Sequence, residues 1–322
     1  MFRKFVAPFV VVLGLLLASC APAIAPALAP EAPPVAVDPL AGKTFYWLAA
    51  VNGDAFYVPG LAGWTRAAED LGVKVEFVGP LDANLNEQIK IFEQLIANPN
   101  TGGILFYAMD FSAAQPLVEE AAAKGIPVVV ANTDSPYARI GFIGTDHAQL
   151  GRSAATVAAK AIGCKGSVGT VGNDSVVVPL RMKAFGEQMA KECPDVKVEQ
   201  MATYHDAATE AVGIVDAYMV AHPDLTLLWF ADGSSNNSIG PWRERIAAGG
   251  KTLFLGSDMP PAALEAVKDG TWIGSMGQDT FAEEYWGLVY LVNAALGRPI
   301  PDTTFVAALV VSPANVDKYL PK

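Results

Sequence analysis

The residues of this chain that could carry chemistry are carboxylates, amides and one arginine beside aromatic rings, each near the end of an apolar run. Asp54 stands with Phe56 and Tyr57 beyond the run 44–51, and Asp232 and Asp258 follow the runs 225–230 and 252–256. Tyr107, Asn132 and Gln278 close three more runs, and Arg181 opens a helical pattern after Gly172-Asn173-Asp174-Ser175. Paired carboxylates can cleave glycosides, but separate aspartates equally accept hydrogen bonds from hydroxyl groups. No nucleophile elbow, P-loop or HExxH accompanies them. Three cysteines without CxxC or Cys/His spacing give no zinc site. The expectation is a binding protein rather than an enzyme, with no metal and no cofactor.

Elements that could position these residues alternate along the chain, apolar strand-like runs with helical patterns, which predicts an α/β fold with parallel, doubly wound sheets. A first series places strands at 44–51, 74–78, 103–107 and 128–131, with helices at 59–71, 86–96 and 113–124 between them. Asp110 reads as the cap of the helix that follows it, and Trp64 with Ala67, Ala68 and Leu71 as an ordinary buried stripe. After Ile140–Asp146 a second series runs through strands at 167–171, 196–201, 225–230, 252–256 and 272–276, with helices at 150–161, 180–191, 207–221 and 262–268. The two series look like copies of one architecture. Open α/β sheets bind ligands at the carboxyl edges of their strands, and two such edges imply a shared crevice.

Composition sets the boundaries of the reading. Apolar residues make up 52% of the chain and charged residues 17%, enough for an extensive core. The net charge of −11 argues against nucleic acid or an anionic membrane surface as partner. At the amino end, Arg3 and Lys4 precede an apolar stretch that closes on Leu17-Ala18-Ser19-Cys20. That stretch is short for a membrane span and has the layout of a secretory signal. It resembles a bacterial lipoprotein signal, which implies cleavage after residue 19 and lipid on the Cys20 thiol; an ordinary cleaved signal with an incidental cysteine is the other reading. Residues 21–42 are rich in Ala and Pro and read as an extended tether. Cys164 and Cys193 each lie between a helix and a strand, so neighbouring strands would bring them together as a disulfide, and otherwise they are separate buried thiols.

In order and spacing, Asp54-Ala55-Phe56-Tyr57, Lys124-Gly125-Ile126-Pro127-Val128, Ile143-Gly144-Thr145-Asp146, Arg181 with Phe185, Leu255-Gly256-Ser257-Asp258 and Gly277-Gln278 are similar to the type I periplasmic binding proteins of bacterial ATP-driven sugar importers, the group that includes ribose-binding proteins. The resemblance implies two lobes joined by a three-segment hinge. It places residues 43–145 and 279–303 in the amino-terminal lobe, and 146–278 and 304–322 in the carboxy-terminal lobe. The helix near 281–296 would return to the first lobe and the strand 305–311 would run back to the second. The implied partners are a monosaccharide, a membrane permease and its cytoplasmic ATPase, with the protein a monomer anchored outside the cytoplasm through lipid alone.

Carried onto this chain, the resemblance gives a ligand-binding set of Asp54, Phe56, Tyr57, Tyr107, Asn132, Arg181, His205, Asp232, Asp258 and Gln278. Phe56 or Tyr57 would stack on the C–H face of a sugar, unless both cap the core. Asp54, Asp232, Asp258 and Gln278 would meet hydroxyls, with Gly233 and Asn236 as neighbours that compete with Asp232. Arg181 would donate to two oxygens at once. Asn132 is also a common turn residue, and His205 stands where the family often has an aromatic ring. Thr133 replaces a second arginine, which favours a neutral sugar or polyol over a phosphate. A nucleoside, a sugar-derived signal molecule, or presentation of the ligand to a sensor are alternatives for the same pocket. A sugar-responsive transcription factor would carry a DNA-binding helix-turn-helix where this chain has its signal.

The lipoprotein reading is tested at Cys20. Cys20→Ser should move the protein from the membrane fraction to the soluble one or leave an uncleaved precursor, and a mature terminus found by mass spectrometry beyond Cys20 would overturn it.

Overall fold

The computed structural model describes residues 39–320 apart from 54, 138, 206 and 207, so Cys20, the signal, most of the tether and Asp54 lie outside the described residues. The first series builds β1 (Thr44–Leu48), α1 (Val58–Leu71), β2 (Lys74–Val78), α2 (Leu85–Ala97), β3 (Thr101–Phe106), α3 (Phe111–Ala123), β4 (Val128–Ala131) and β5 (Phe142–Thr145). The second builds α4 (His147–Ile162), β6 (Ser167–Asn173), α5 (Val178–Glu192), β7 (Lys197–Val198), β8 (Ala202–Tyr204), α6 (Ala208–Ala221), β9 (Leu227–Phe230), α7 (Ile239–Ala247), β10 (Leu253–Ser257), α8 (Pro261–Lys268) and β11 (Gly274–Gln278). The chain then forms α9 (Thr280–Ala295), β12 (Thr303–Val306) and β13 (Ala308–Val311). Among the described residues, no helix is long and apolar enough to cross a membrane.

Two sheets result, in the order β12-β5-β4-β3-β1-β2 and β13-β11-β10-β9-β6-β7, with β8 also pairing β6. All pairings are parallel except β13, which runs antiparallel to β11. Each sheet with its helices is one lobe, and the chain passes between them at 145–147, 278–280 and 306–308. The last passage corrects the expected boundary at 303/304. Thr303–Val306 pairs with Phe142–Thr145 in the first sheet, and only Ala308–Val311 joins the second. A single apolar run thus serves both sheets. Arg139 secures its first half by donating to the Asp302 carbonyl and Thr303 Oγ1. The expected strand at 196–201 shortens to β7, and β8 follows it, the two pairing with opposite ends of β6.

Period-two alternation explains how each sheet is covered on both faces. Phe45 and Trp47 of β1 pack with Trp64, Leu288 and Leu291 beneath α1 and α9, whereas Tyr46 and Leu48 face Phe92, Ile104 and Phe106. In the second lobe Leu227 and Trp229 face α4 and α5, and Leu228 and Phe230 face the opposite cluster with Trp242 and Trp272. Helices approach closely where glycine permits. A Cβ on Gly63 of α1 would lie 2.1 Å from the Phe281 carbonyl oxygen of α9, and one on Gly151 of α4 would lie 2.1 Å from that of Arg181 on α5. Cys164 and Cys193 are joined by a disulfide where α4 and α5 end.

The core of the first lobe contains an acidic pair. Glu283 and Glu284 of α9 are fully buried, and the Tyr107 hydroxyl lies 2.6 Å from Glu283 Oε1 and also bonds Glu284 Oε1. A phenol has one proton to give, so one of these contacts is a carboxyl O–H donating to the phenol oxygen. Burial pushes Glu283 up to about 8, although the Tyr107 hydroxyl and the Asn132 backbone N–H pull it down. Glu284 is raised well above the carboxylate range by burial and then by Glu283. The native state therefore holds protons that the unfolded chain releases above about 4.5.

Stability should fall as pH rises from about 5 to 8, the interval between the unfolded and folded values. Glu284→Gln should flatten this decline in urea melts, with its largest relative gain at pH 8. Parallel pH profiles for the two proteins would show that the pair does not hold a proton.

Candidate functional site

The carboxyl ends of both sheets face each other, and the expected residues divide there into three groups. Asn132, Arg181, Asp258, Gln278 and Phe56 gather at the junction of the lobes. Tyr57 and Tyr107 lie in the first lobe's core, and His205 lies at the surface.

Asn132 follows β4 and Asp258 follows β10, the corresponding strands of the two lobes. Both have left-handed backbone, with φ of 66° and 61°, a conformation that Asn and Asp tolerate better than most residues. Each backbone N–H returns to the next strand of its own sheet, Asn132 to the Ile143 carbonyl and Asp258 to that of Met276. The turn aims both side chains across the junction. There Gln278, at the end of β11, links them: Asn132 Nδ2 donates to Gln278 Oε1 at 3.4 Å, and Gln278 Nε2 donates to Asp258 Oδ1 at 3.2 Å. Gly233 sits beneath Asp258, where a Cβ would come within 2.6 Å of the carboxylate.

Arg181 is only 4% exposed. Its Nη1 donates to the Ala231 carbonyl and its Nε to His147 Nδ1, each at 3.1 Å. Burial lowers the guanidinium from its usual value, opposed by the charges of Asp258 and then Asp232. His147 in turn reaches the first lobe, its Nε2 lying 3.2 Å from the Asn132 carbonyl. Arginine can only donate, so Nδ1 accepts and Nε2 carries the proton. The ring is held neutral, down to about 3, chiefly by burial and next by the Arg181 charge.

Asp232 holds the second wall together rather than presenting a bare carboxylate. It accepts from the Asn173 N–H at 2.7 Å, the Tyr204 hydroxyl at 2.8 Å and the Ser234 N–H at 2.8 Å, tying the ends of β6, β8 and β9. In the first lobe Gln88 has the same role, donating to the carbonyls of Ala49 and Tyr107 and accepting from the Met109 N–H. Asn236 donates to the Gly233 carbonyl.

Several expected residues stand elsewhere. Tyr107 turns its hydroxyl to Glu283 and Glu284, away from the junction, and is 4% exposed. Tyr57 packs edge-on to Trp47 and beside Phe77 and Tyr107, so of the two adjacent aromatics only Phe56 lines the cleft. His205 bonds Asp174 at 2.5 Å and leaves 91% of its side chain exposed, because β8 ends at Tyr204 and sends that ring inward to Asp232 instead. Trp64 and Asp110 take the core and cap positions read from their patterns. Sequence reasoning passed over His147, the residue directly after Asp146 at the first crossover, and Glu283-Glu284, whose signal was two adjacent carboxylates inside an apolar helical pattern.

A cavity of about 20 Å³ between the lobes is lined by Phe56, Pro59, Asp258, Met259, Gln278 and Thr280. It would hold roughly one water molecule. Larger hollows of about 620 and 600 Å³ lie at Leu225–Thr226 and at Ile126–Val128, the amino ends of β9 and β4, and thus opposite the junction. Among the described residues no group of three or more His, Cys, Asp or Glu could hold a metal ion.

Comparison with known proteins agrees with the two-lobed α/β fold. A sugar-binding protein of a sugar ABC transporter from Bacillus halodurans is 23% identical at a TM-score of 0.80, the match covering 86% of this chain and 100% of that one. A solute-binding protein from Burkholderia graminis, solved in complex with D-arabinose, is 25% identical at a TM-score of 0.78, covering 87% and 98% of the two chains. A glucose-galactose binding protein from Geobacillus stearothermophilus is 22% identical at a TM-score of 0.75, covering 85% and 98%. Residues 45–299, from β1 to beyond α9, match the family described as the periplasmic binding protein domain, and the chain belongs to that family.

Proposed function

We propose that the protein is an extracytoplasmic solute-binding lipoprotein that captures a monosaccharide between its lobes and delivers it to the permease of an ABC importer. The observation that carries this reading is the polar chain from Asn132 through Gln278 to Asp258, which joins the two lobes at their carboxyl edges beside Phe56 and the buried Arg181. These groups provide hydroxyl acceptors, an amide that both donates and accepts, a cation and a ring face, the set that a polyhydroxylated neutral ligand requires. The similar proteins, among them a glucose-galactose binding protein and one solved with D-arabinose, support the same class.

In this reading the lobes part at the three crossings, ligand enters, and its hydroxyls take over the bonds that Asn132, Gln278 and Asp258 make to one another. Closure is favoured because the ligand touches both walls. The family resemblance gives Asp54 a part in binding the ligand, and Asp232 acts by fixing the wall beside Arg181. Asp232 already receives three donors, an arrangement suited to a structural carboxylate and unsuited to a general acid or a nucleophile. Lipid on Cys20 and the Ala/Pro-rich tether would keep the folded body near the membrane that holds the permease.

Calorimetric titration with D-arabinose, D-galactose, D-allose and D-ribose tests the reading. At least one should bind, and Asp258→Asn or Arg181→Ala should weaken it by about 2 kcal/mol, the cost of leaving a buried charged partner unpaired. Trp64→Phe should change the melting temperature more than the affinity. Unchanged affinity in both cleft variants would overturn the site assignment, and no binding by any sugar or polyol would overturn the ligand class.

A further inference from the structure

His147, like Gln278, is a side chain at the junction with a bond to each lobe. It opens α4, immediately after the first crossing, yet its Nε2–H donates back to the Asn132 carbonyl of the first lobe while its Nδ1 accepts from Arg181 of the second. The Asn132 backbone is itself held to β5 by its N–H bond to the Ile143 carbonyl, and its own carbonyl lies close over Gly144. Arg181 is fixed on its far side by the Ala231 carbonyl. An imidazole thus fills the gap between a rigid acceptor in one lobe and the guanidinium in the other.

We propose that His147 is a positioning residue that locks Arg181 in its ligand-facing orientation when the lobes close, and that proton uptake by His147 in mildly acid solution releases the lock and the ligand. The inference rests on the capture reading above and adds a regulation of that site. Only the neutral Nε2–H tautomer makes both bonds. A protonated ring has no acceptor for Arg181 Nε and places a second positive charge beside a buried guanidinium, so closure and protonation exclude one another.

The surroundings of His147 agree with this assignment. On the second-lobe side the charged groups are Arg181 and, around it, Asp258 and Asp232. The imidazole's own bonds go to Arg181 and to the Asn132 carbonyl. On the first-lobe side Glu283 interacts with the Asn132 backbone N–H, but it is buried in its own lobe's core and stays there whether the lobes are apart or together. Asp146, the preceding residue, caps α4 through the Gln149 N–H and pairs with Arg152. In the closed form burial and Arg181 hold the imidazole at about 3. Parting the lobes removes the Asn132 bond, which by itself favours the proton, and leaves Arg181 beside the ring, but it admits water and relieves the dominant effect of burial, which moves the ring back toward its ordinary value of about 6.5. The sign follows: the closed state is favoured in full above about 6.5 and loses up to about tenfold per pH unit below it.

The test is the affinity of the full mature protein for its best-binding sugar by calorimetry between pH 7.5 and 5.0, a window that stops above the ordinary carboxylate range. Wild type should weaken by about thirtyfold across it and should release close to one proton on binding at pH 5.5, read from buffers of different ionisation enthalpy. His147→Ala should bind more weakly at every pH. His147→Gln, which can donate and accept but not titrate, should recover most of that loss and give a flat profile without proton release. His205→Gln and His222→Gln, at the chain's other histidines, should keep the wild-type slope. A flat wild-type profile, or equal slopes in wild type and His147→Gln, overturns this inference alone. Failure of every sugar to bind wild type at pH 7.5 overturns the capture reading and this inference with it.

Discussion

Arg181 is a charge carried into the interior, and the architecture around the junction follows from what that charge demands. A buried guanidinium stripped of its partners costs about 3–5 kcal/mol, so its Nε and Nη1 are met by acceptors and two carboxylates supply opposite charge. The Ala231 carbonyl closes one side because β9 ends there, and His147 closes another because the first crossing delivers it to that point. Asp258 and Asp232 supply opposite charge without direct bonds to the guanidinium nitrogens that face carbonyl and imidazole. Removing bulk beneath the helix is part of the same solution. Gly151 lets α4 ride directly over the Arg181 backbone, which brings the start of α4, and so His147, within reach.

The two lobes repeat each other down to single residues. Left-handed Asn132 and Asp258 occupy equivalent strand ends. In the corresponding helix pairs α1–α9 and α5–α4 one glycine allows the close approach, Gly63 on α1 and Gly151 on α4. Asp146 and Asp279 cap the helices that begin just beyond two of the crossings, accepting from the N–H groups of Gln149 and Ala282. Such pairs mean that the same turn geometry is presented from both sides, so a ligand meets a similar framework of strand ends whichever lobe it approaches. The difference between the walls lies in charge: the second carries Arg181 with its carboxylates, and the first offers an aromatic ring and an amide.

Periodicity and turn residues made the alternation of strands and helices legible, because buried parallel strands are short apolar runs bounded by polar or glycine residues. Asn132, Arg181, Asp258, Gln278 and Phe56, which the fold brings together at the junction, all sit at strand or helix ends where one-dimensional order maps simply onto the sheet edge. Tyr107 and His205 stand away from them, because being adjacent to a strand end does not decide which way a side chain turns. Tyr107 turns inward to two carboxyl groups that come from α9, more than 170 residues later in the chain, a contact no local pattern encodes. His205 is displaced by its neighbour Tyr204, whose hydroxyl reaches Asp232 first. The run near 305 misled for a related reason: alternation describes a strand but does not name its partner, and here one run has two.

The chain's path between the sheets also has a kinetic meaning. The helices and strands from α4 to β11 are contiguous and lack only the edge strand β13, whereas the first sheet cannot cover its Trp47 face until α9 arrives to pack on α1 across more than 200 residues. Local contacts form faster than distant ones. During synthesis the carboxy-terminal lobe can therefore complete its core first, while the amino-terminal half, though made earlier, waits with an open apolar face. That half is where a chaperone, or a translocation channel that keeps the chain extended, has the most to protect.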